Sequence, residues 1–119
     1  MRSVRYSTHS GSSYSTLFCS VRNQPGASVY PEYVALTTAA AGWIADSGIR
    51  LIGTDHLSIQ QADSDGETHR VLMRAGVAIL EGLNLAAVEP GEYTLVCLPI
   101  RLVGTEAAPA RAILLDRAE

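Results

Sequence analysis

The chain has 119 residues, of which 47% are hydrophobic and 18% charged; this length fits one domain, and the composition is that of a globular protein. The net charge is −3 and the nine cationic side chains are scattered arginines, which excludes the basic field that draws in a nucleic-acid backbone. No window approaches the roughly 20 apolar residues of a membrane span, and Met1–Ser7 leads into no secretory signal, so we expect a cytoplasmic protein.

The first part of the chain, residues 1–29, is rich in small polar side chains. Because its apolar density is low, we expect a loosely structured segment that depends on packing against the rest. Short strands are predicted within it at Ser3–Tyr6 and Ser15–Val21. Cys19 and Cys97 lack Cys-x-x-Cys spacing, which argues against a zinc ribbon or a redox motif.

A helix and a strand are predicted next. The helix, Thr38–Ser47, follows a threonine suited to the N-cap and places Ala41 and Ile44 on one face. Gly48 is a natural left-handed C-cap. The β-branched run Ile49–Asp55 then predicts a strand, and this order indicates an α/β layer.

The middle of the chain repeats this alternation. A polar loop at residues 60–68 precedes a predicted short helix, His69–Ala75, and a buried strand, Val77–Leu80. Glu81 stands at the carboxyl end of that strand. Ligands gather at this edge in open α/β sheets.

The last third predicts two more strands. Tyr93–Val103 is the longest apolar run and is interpreted as a central strand, with Pro99 causing a bulge or a break and Cys97 packed in the core. A final strand is predicted at Ala110–Leu115. The sequence therefore predicts a single α/β domain over residues 1–119.

Two residues are candidates for metal binding. His69 and Glu81 lie on consecutive elements, and an imidazole with a carboxylate suits zinc or manganese. Glu81 follows four apolar residues, so its carboxylate needs a cation nearby. A structural salt bridge to Arg101 or Arg111 would meet this need without a metal.

The other candidates are weaker. Asp55 is expected to cap the turn at residues 57–59, although Asp55 and Glu81 could also form a metal-free acid–base pair. His56 and His9 are interpreted as loop residues. No serine nucleophile elbow and no phosphate-binding glycine loop is present in the sequence.

Several ordered motifs resemble one known family. In chain order they are Tyr30-Pro31, Trp43-Ile44, Gly48–Ile59, His69-Arg70, Ile79–Leu83, Leu98–Gly104 and Pro109–Ala112. They resemble the C-terminal half of the cyclase family of metal-dependent hydrolases, which includes the bacterial kynurenine formamidases and the isatin hydrolases. The resemblance implies a swivelling β/β/α fold with a mixed sheet, hydrolysis of a small-molecule amide or lactone, and a site for one or two zinc or manganese ions.

The resemblance also implies roles for individual residues. His69 and Glu81 match positions that supply metal ligands in the family. The family's N-terminal His-x-Gly-Thr-His-x-Asp-x-Pro-x-His motif, which supplies the remaining ligands and a catalytic histidine, has no match in this sequence. We therefore assign no catalytic residue and expect weak metal binding at most, with no formamidase-type activity from the chain alone.

Two functional interpretations follow. The chain is either half of a hydrolase that works with a partner chain or a second copy, or a non-catalytic oligomeric binding module that keeps the fold. A homo-oligomer is expected under both, because the half-fold would expose sheet faces and strand edges.

Overall fold

The structure, a computed structural model, describes residues 2–7, 15–20, 34–61 and 64–116. Six strands and two helices are present in this part of the chain. In order they are β1 (Arg2–Ser7), β2 (Ser15–Ser20), α1 (Thr38–Asp46), β3 (Ile49–Thr54), α2 (Glu67–Arg74), β4 (Ala78–Leu80), β5 (Tyr93–Pro99) and β6 (Ala110–Asp116). Of the segment 1–29, the structure describes only β1 and β2, so His9 lies outside the described residues.

The strands form two small sheets. The first has the order β1-β2-β3-β4, with β1 antiparallel to β2 and the other two pairings parallel. The second is the antiparallel hairpin of β5 and β6. The predicted mixed α/β architecture with short helices is confirmed.

Helix α1 forms where its capping signals predict. Thr37 is the N-cap, and its hydroxyl accepts a hydrogen bond from the Ala40 amide at 3.2 Å. Ala41 and Ile44 are buried on the inner face. Gly48 has a φ of 73°, the left-handed conformation that ends a helix. The chain then enters β3 directly.

Helix α2 begins two residues earlier than the sequence predicted, at Glu67 rather than His69. The reason is that side chains from the preceding loop accept hydrogen bonds from amides of the first turn. Asp65 Oδ1 accepts from the Glu67 amide at 3.0 Å, and Gln60 Oε1 accepts from the His69 amide at 3.4 Å. His69 is therefore the third residue of the helix.

The two helices and β3 enclose the main core. Its buried members are Ala41, Ile44, Ile49, Ile52, Ile59, Leu72 and Val77. Leu72 of α2 and Ile52 of β3 are 0% and 1% exposed. Because α2 contributes to this core, the helix that carries His69 is fixed to the sheet.

The strand predicted at residues 93–103 forms only as far as Pro99, where a bulge or a break was expected, and the prediction that it is central is wrong. Strand β5 ends at Pro99 and, among the described strands, pairs with β6 alone in a two-stranded sheet. Pro99 breaks the run because proline offers no amide to a ladder. Cys97 is half-buried rather than a core residue. The predicted buried strand before Glu81 is shorter than expected and has an exposed residue, Ala78.

The hairpin has two unequal faces. The inner face, with Tyr93, Leu95 and Leu114, packs around the buried Leu85. The outer hairpin face consists of Thr94, Val96, Leu98, Arg111, Ile113 and Leu115 by strand alternation and register. Leu98, Ile113 and Leu115 are 61%, 44% and 49% exposed. No helix in the described ranges is long and apolar enough to cross a membrane.

Candidate functional site

The carboxyl ends of β3 and β4 meet at one edge of the first sheet. The strands are parallel, and Gly53 lies opposite Leu80 in their register. Beyond the strands, the Leu83 amide donates to the Thr54 carbonyl at 3.1 Å and the Gly82 amide donates to the His56 carbonyl at 2.7 Å. Glu81 is therefore held beside the loop that follows β3.

His69 and Glu81 converge at this edge, as the sequence predicted. His69 Nε2 lies 3.0 Å from Glu81 Oε1. Their side chains are 30% and 33% exposed, so both remain accessible to solvent. Helix α2 thus presents its imidazole to the carboxylate that ends β4.

Glu81 has a second partner in the loop after β3. The Ile59 amide donates a 2.8 Å hydrogen bond to the same oxygen, Oε1. The Ser58 amide donates to His56 Nδ1 at 3.4 Å. Asp55 was expected to cap this turn; the acceptors of these two amides are Glu81 and His56. His56 lies in the loop, as expected.

The same loop is organised by side chains at alternate positions. Thr54 Oγ1 accepts from the His56 amide at 3.2 Å, and Ser58 Oγ accepts from the Gln60 amide at 3.3 Å. Together with the bond from the Ser58 amide to His56 Nδ1, the side chains of Thr54, His56 and Ser58 each accept a hydrogen bond from the amide two residues later in the chain. Such local bonds specify a turn conformation without help from a sheet ladder. We call residues 54–60 the site loop.

The pair has the chemistry and spacing of two metal ligands. Two donor atoms bound to one zinc ion at about 2.1 Å stand roughly 3.0 to 3.4 Å apart, depending on the angle between them. The observed separation of 3.0 Å falls at the lower end of that range. A neutral imidazole and a carboxylate are also donors that zinc and manganese accept. Within the described residues, however, no group of three or more His, Cys, Asp or Glu side chains could hold a metal ion.

Neither arginine proposed as a partner of Glu81 takes that role. Among the ion pairs of the described residues, Glu81 pairs with His69, and neither Arg101 nor Arg111 forms one with it. Arg111 and Glu81 line the same cleft, but no ion pair joins their side chains.

A cleft of about 670 Å³ lies between β4 and the hairpin. Its walls combine apolar side chains, among them Leu83, Leu95 and Leu114, with polar groups, and Glu81 borders it. Leu80 packs on the hairpin side of β4 and Ile79 on the helix side. By alternation the Glu81 side chain follows Ile79 toward α2, and its hydrogen bond to His69 agrees with this direction. Glu81 therefore lies between the cleft, which it borders, and the imidazole of His69.

Sequence reasoning missed two groups that support the pair, the Ile59 amide and the Gln60 side chain. A backbone amide has no sequence signature of its own. The alternation of Thr54, His56, Ser58 and Gln60 after a strand is a signal that could have indicated a self-bonded loop.

Known proteins resemble this chain over most of its length. No family model matches the sequence. The kynurenine formamidase of Bordetella avium is 42% identical over 84 residues, which are 70% of this chain and 40% of that protein. The kynurenine formamidase of Salinibacter ruber is 47% identical over 74 residues, 61% of this chain and 35% of that protein. Cyclase-like protein 1 of Arabidopsis thaliana is 42% identical over 85 residues, 70% of this chain and 33% of that protein.

Two solved structures of metal-dependent hydrolases also resemble this chain. A potential metal-dependent hydrolase with cyclase activity superposes with a TM-score of 0.68 at 45% identity, covering 73% of this chain and 43% of that one. A predicted metal-dependent hydrolase from Bacillus stearothermophilus gives the same TM-score at 46% identity, with 72% and 42% covered. The chain spans less than half the length of the proteins it matches. Over that shared part, it is a homologue of the kynurenine formamidases and cyclase-like proteins.

Proposed function

We propose that this chain contributes His69 and Glu81 as metal ligands to a metal-dependent hydrolase centre that acts on an amide or a lactone. The observation that carries the proposal is the 3.0 Å approach of His69 Nε2 to Glu81 Oε1 at the sheet edge. The names of the relatives, kynurenine formamidase and metal-dependent hydrolase, supply the reaction class. Zinc and manganese are the metals that fit the two donors.

The chain's own residues would orient and hold the ion rather than react with the substrate. The Ile59 amide keeps the Glu81 carboxylate directed at His69, and α2 keeps the imidazole in place through its packing in the main core. When bound, a divalent ion in such a hydrolase polarises the scissile carbonyl and activates water.

Two ligands do not complete such a centre. Catalytic zinc takes around three protein ligands and keeps one position open. We propose that the remaining ligands come from a partner chain or a second copy, and that the swivelling β/β/α fold is completed by the same contribution. The chain alone then binds metal weakly and has no formamidase-type activity. A cytoplasmic location stays a prediction from the sequence.

A metal titration tests the ligand assignment. We expect Co²⁺ or Zn²⁺ affinity, measured by isothermal titration calorimetry, to fall at least about tenfold in His69→Ala and in Glu81→Gln, because each removes a donor. Glu106→Gln, which removes an exposed carboxylate far along the chain, is the matched control. Equal affinity in all four proteins would remove the ligand assignment.

A turnover assay tests the incompleteness of the centre. The purified chain, loaded with zinc, is expected to leave N-formylkynurenine and a simple lactone unhydrolysed. Turnover that is lost in His69→Ala would show that the chain needs no further ligands.

A non-catalytic oligomeric binding module is the second candidate function. The outer hairpin face favours it, because three large apolar side chains there, Leu98, Ile113 and Leu115, are at least 44% exposed. Contiguous exposed apolar surface marks interaction sites. A metal-free homodimer in light scattering, with no metal retained after dialysis against zinc, would support this function over the hydrolase.

A further inference from the structure

We propose that the site loop, residues 54–60, is a positioning element for the His69–Glu81 pair, with Gln60 as its key positioning residue. This inference deepens the proposed function and rests on it, since the pair is taken to be a ligand pair. It adds a role for residues outside the His69–Glu81 pair.

The loop touches both members of the pair, and does so from adjacent residues. The Ile59 amide binds Glu81 Oε1 at 2.8 Å, and Gln60 Oε1 accepts from the His69 amide at 3.4 Å. One residue therefore fixes the carboxylate while the next fixes the start of the helix that carries the imidazole. A movement of the loop would change both ligands together.

The loop is itself held on three sides. The side chains of Thr54, His56 and Ser58 each accept a hydrogen bond from the amide two residues later. The His56 carbonyl accepts from Gly82, next to Glu81, and the Ile59 carbonyl accepts from the Leu36 amide at 2.8 Å, before α1. Ile59 is also 4% exposed within the main core. The loop therefore has the rigidity that a positioning element needs.

Gln60 links this rigid loop to α2. The N-cap of α2 is Gly66, which has no side chain to close the first turn. In this turn the Gln60 side-chain oxygen accepts a hydrogen bond from the backbone amide of His69 itself. Groups that orient metal ligands from outside the coordination sphere typically change metal affinity about 10- to 100-fold when removed.

The experiment compares Gln60→Ala, Gln60→Glu and Gln61→Ala in the full chain. Gln60→Glu keeps an acceptor oxygen at the same reach, and Gln61→Ala is a matched control at an exposed neighbour. We expect Co²⁺ affinity and the Co²⁺ absorption spectrum to change in Gln60→Ala, with affinity falling about 10-fold or more. Gln60→Glu should restore both, and Gln61→Ala should match the unmodified chain.

A metal-free measurement separates this proposal from the proposed function. Imidazole ¹⁵N spectra at fixed pH report whether His69 Nε2 is hydrogen-bonded to Glu81. We expect that signature to weaken in Gln60→Ala and to return in Gln60→Glu. If the unmodified chain binds no Co²⁺, the proposed function fails while these spectra still decide the role of Gln60.

Other outcomes overturn the proposal. These are unchanged spectra in Gln60→Ala, or a loss that Gln60→Glu does not restore. If Gln60→Ala does not fold, Ser58→Ala replaces it. This variant removes the hydroxyl that accepts the hydrogen bond of the Gln60 amide. An unchanged His69 spectrum in Ser58→Ala also counts against a positioning role for the site loop.

Discussion

The helical core region and the hairpin bury their apolar side chains to very different degrees. The helical core region, made of α1, α2, β3 and β4, has seven buried apolar residues in one cluster, counting the adjoining Ile59 and Val77. The hairpin of β5 and β6 packs on a cluster with one buried member, Leu85. The comparison shows that the region holding His69 and Glu81 builds its own core, whereas the hairpin leaves apolar surface on its outer face.

The largest expected loss of stability comes from a substitution in the helical core region. Leu72→Ala removes a side chain that is 0% exposed, so its cavity should lower the free energy of unfolding by about 3 kcal/mol. Leu95→Ala, in the half-buried inner face of the hairpin, should cost about 1 kcal/mol. Urea denaturation of both variants measures the difference. Equal losses would mean that the two regions are packed alike.

An intermediate effect tests the local signals that build the helical core region. Gly48→Ala places a Cβ at a φ of 73°, so it should destabilise by about 1 kcal/mol although nothing lies within 4 Å of the added atom. Gly42→Ala, inside α1 and equally open, should stabilise by roughly 0.5 to 1 kcal/mol because alanine favours the helix. Thermal unfolding gives both signs. A loss of stability in Gly42→Ala would contradict the assignment of that position to an open helix face.

The smallest effect on stability concerns the outer hairpin face. The double variant Ile113→Thr, Leu115→Thr keeps strand-forming side chains and removes apolar surface, so the free energy of unfolding should change by less than about 0.5 kcal/mol per site. Self-association, measured by light scattering at several concentrations, should weaken. If the free energy of unfolding instead falls by several kcal/mol, this face is covered within the folded protein and the two regions do not differ in burial as described.

The sequence predicted most of the first region and less of the second. Thr37, Gly48 and the β-branched run after it carry local signals, so α1 and β3 were predicted to within about two residues. The convergence of His69 and Glu81 was predicted from element order. The start of α2 was not, because the polar side chains of Asp65 and Gln60 accept hydrogen bonds from its first turn, and a pattern of apolar residues does not encode such bonds.

The hairpin was misjudged for a different reason. A continuous apolar run such as Tyr93–Val103 is typical of strands covered on both sides, and periodicity alone does not reveal what covers them. The second partner of Glu81, the Ile59 amide, was not predicted from the sequence. Arg101 and Arg111 were reasonable by charge, but neither forms an ion pair with Glu81 among the described residues, and the Ile59 amide carries no charge that a sequence pattern could reveal.

Strand β4 pairs with β3 through only three residue pairs, from Ala78 to Leu80. Because side chains alternate strictly along a strand, a shift of one residue in this short ladder would turn Glu81 to the hairpin side and bring an apolar neighbour toward the imidazole. The left-handed glycines that bracket this strand, Gly76 and Gly82, limit such slippage by fixing where it enters and leaves the sheet. Insertions or deletions between residues 76 and 82 should therefore abolish the alignment of the two ligands even where the chain still folds.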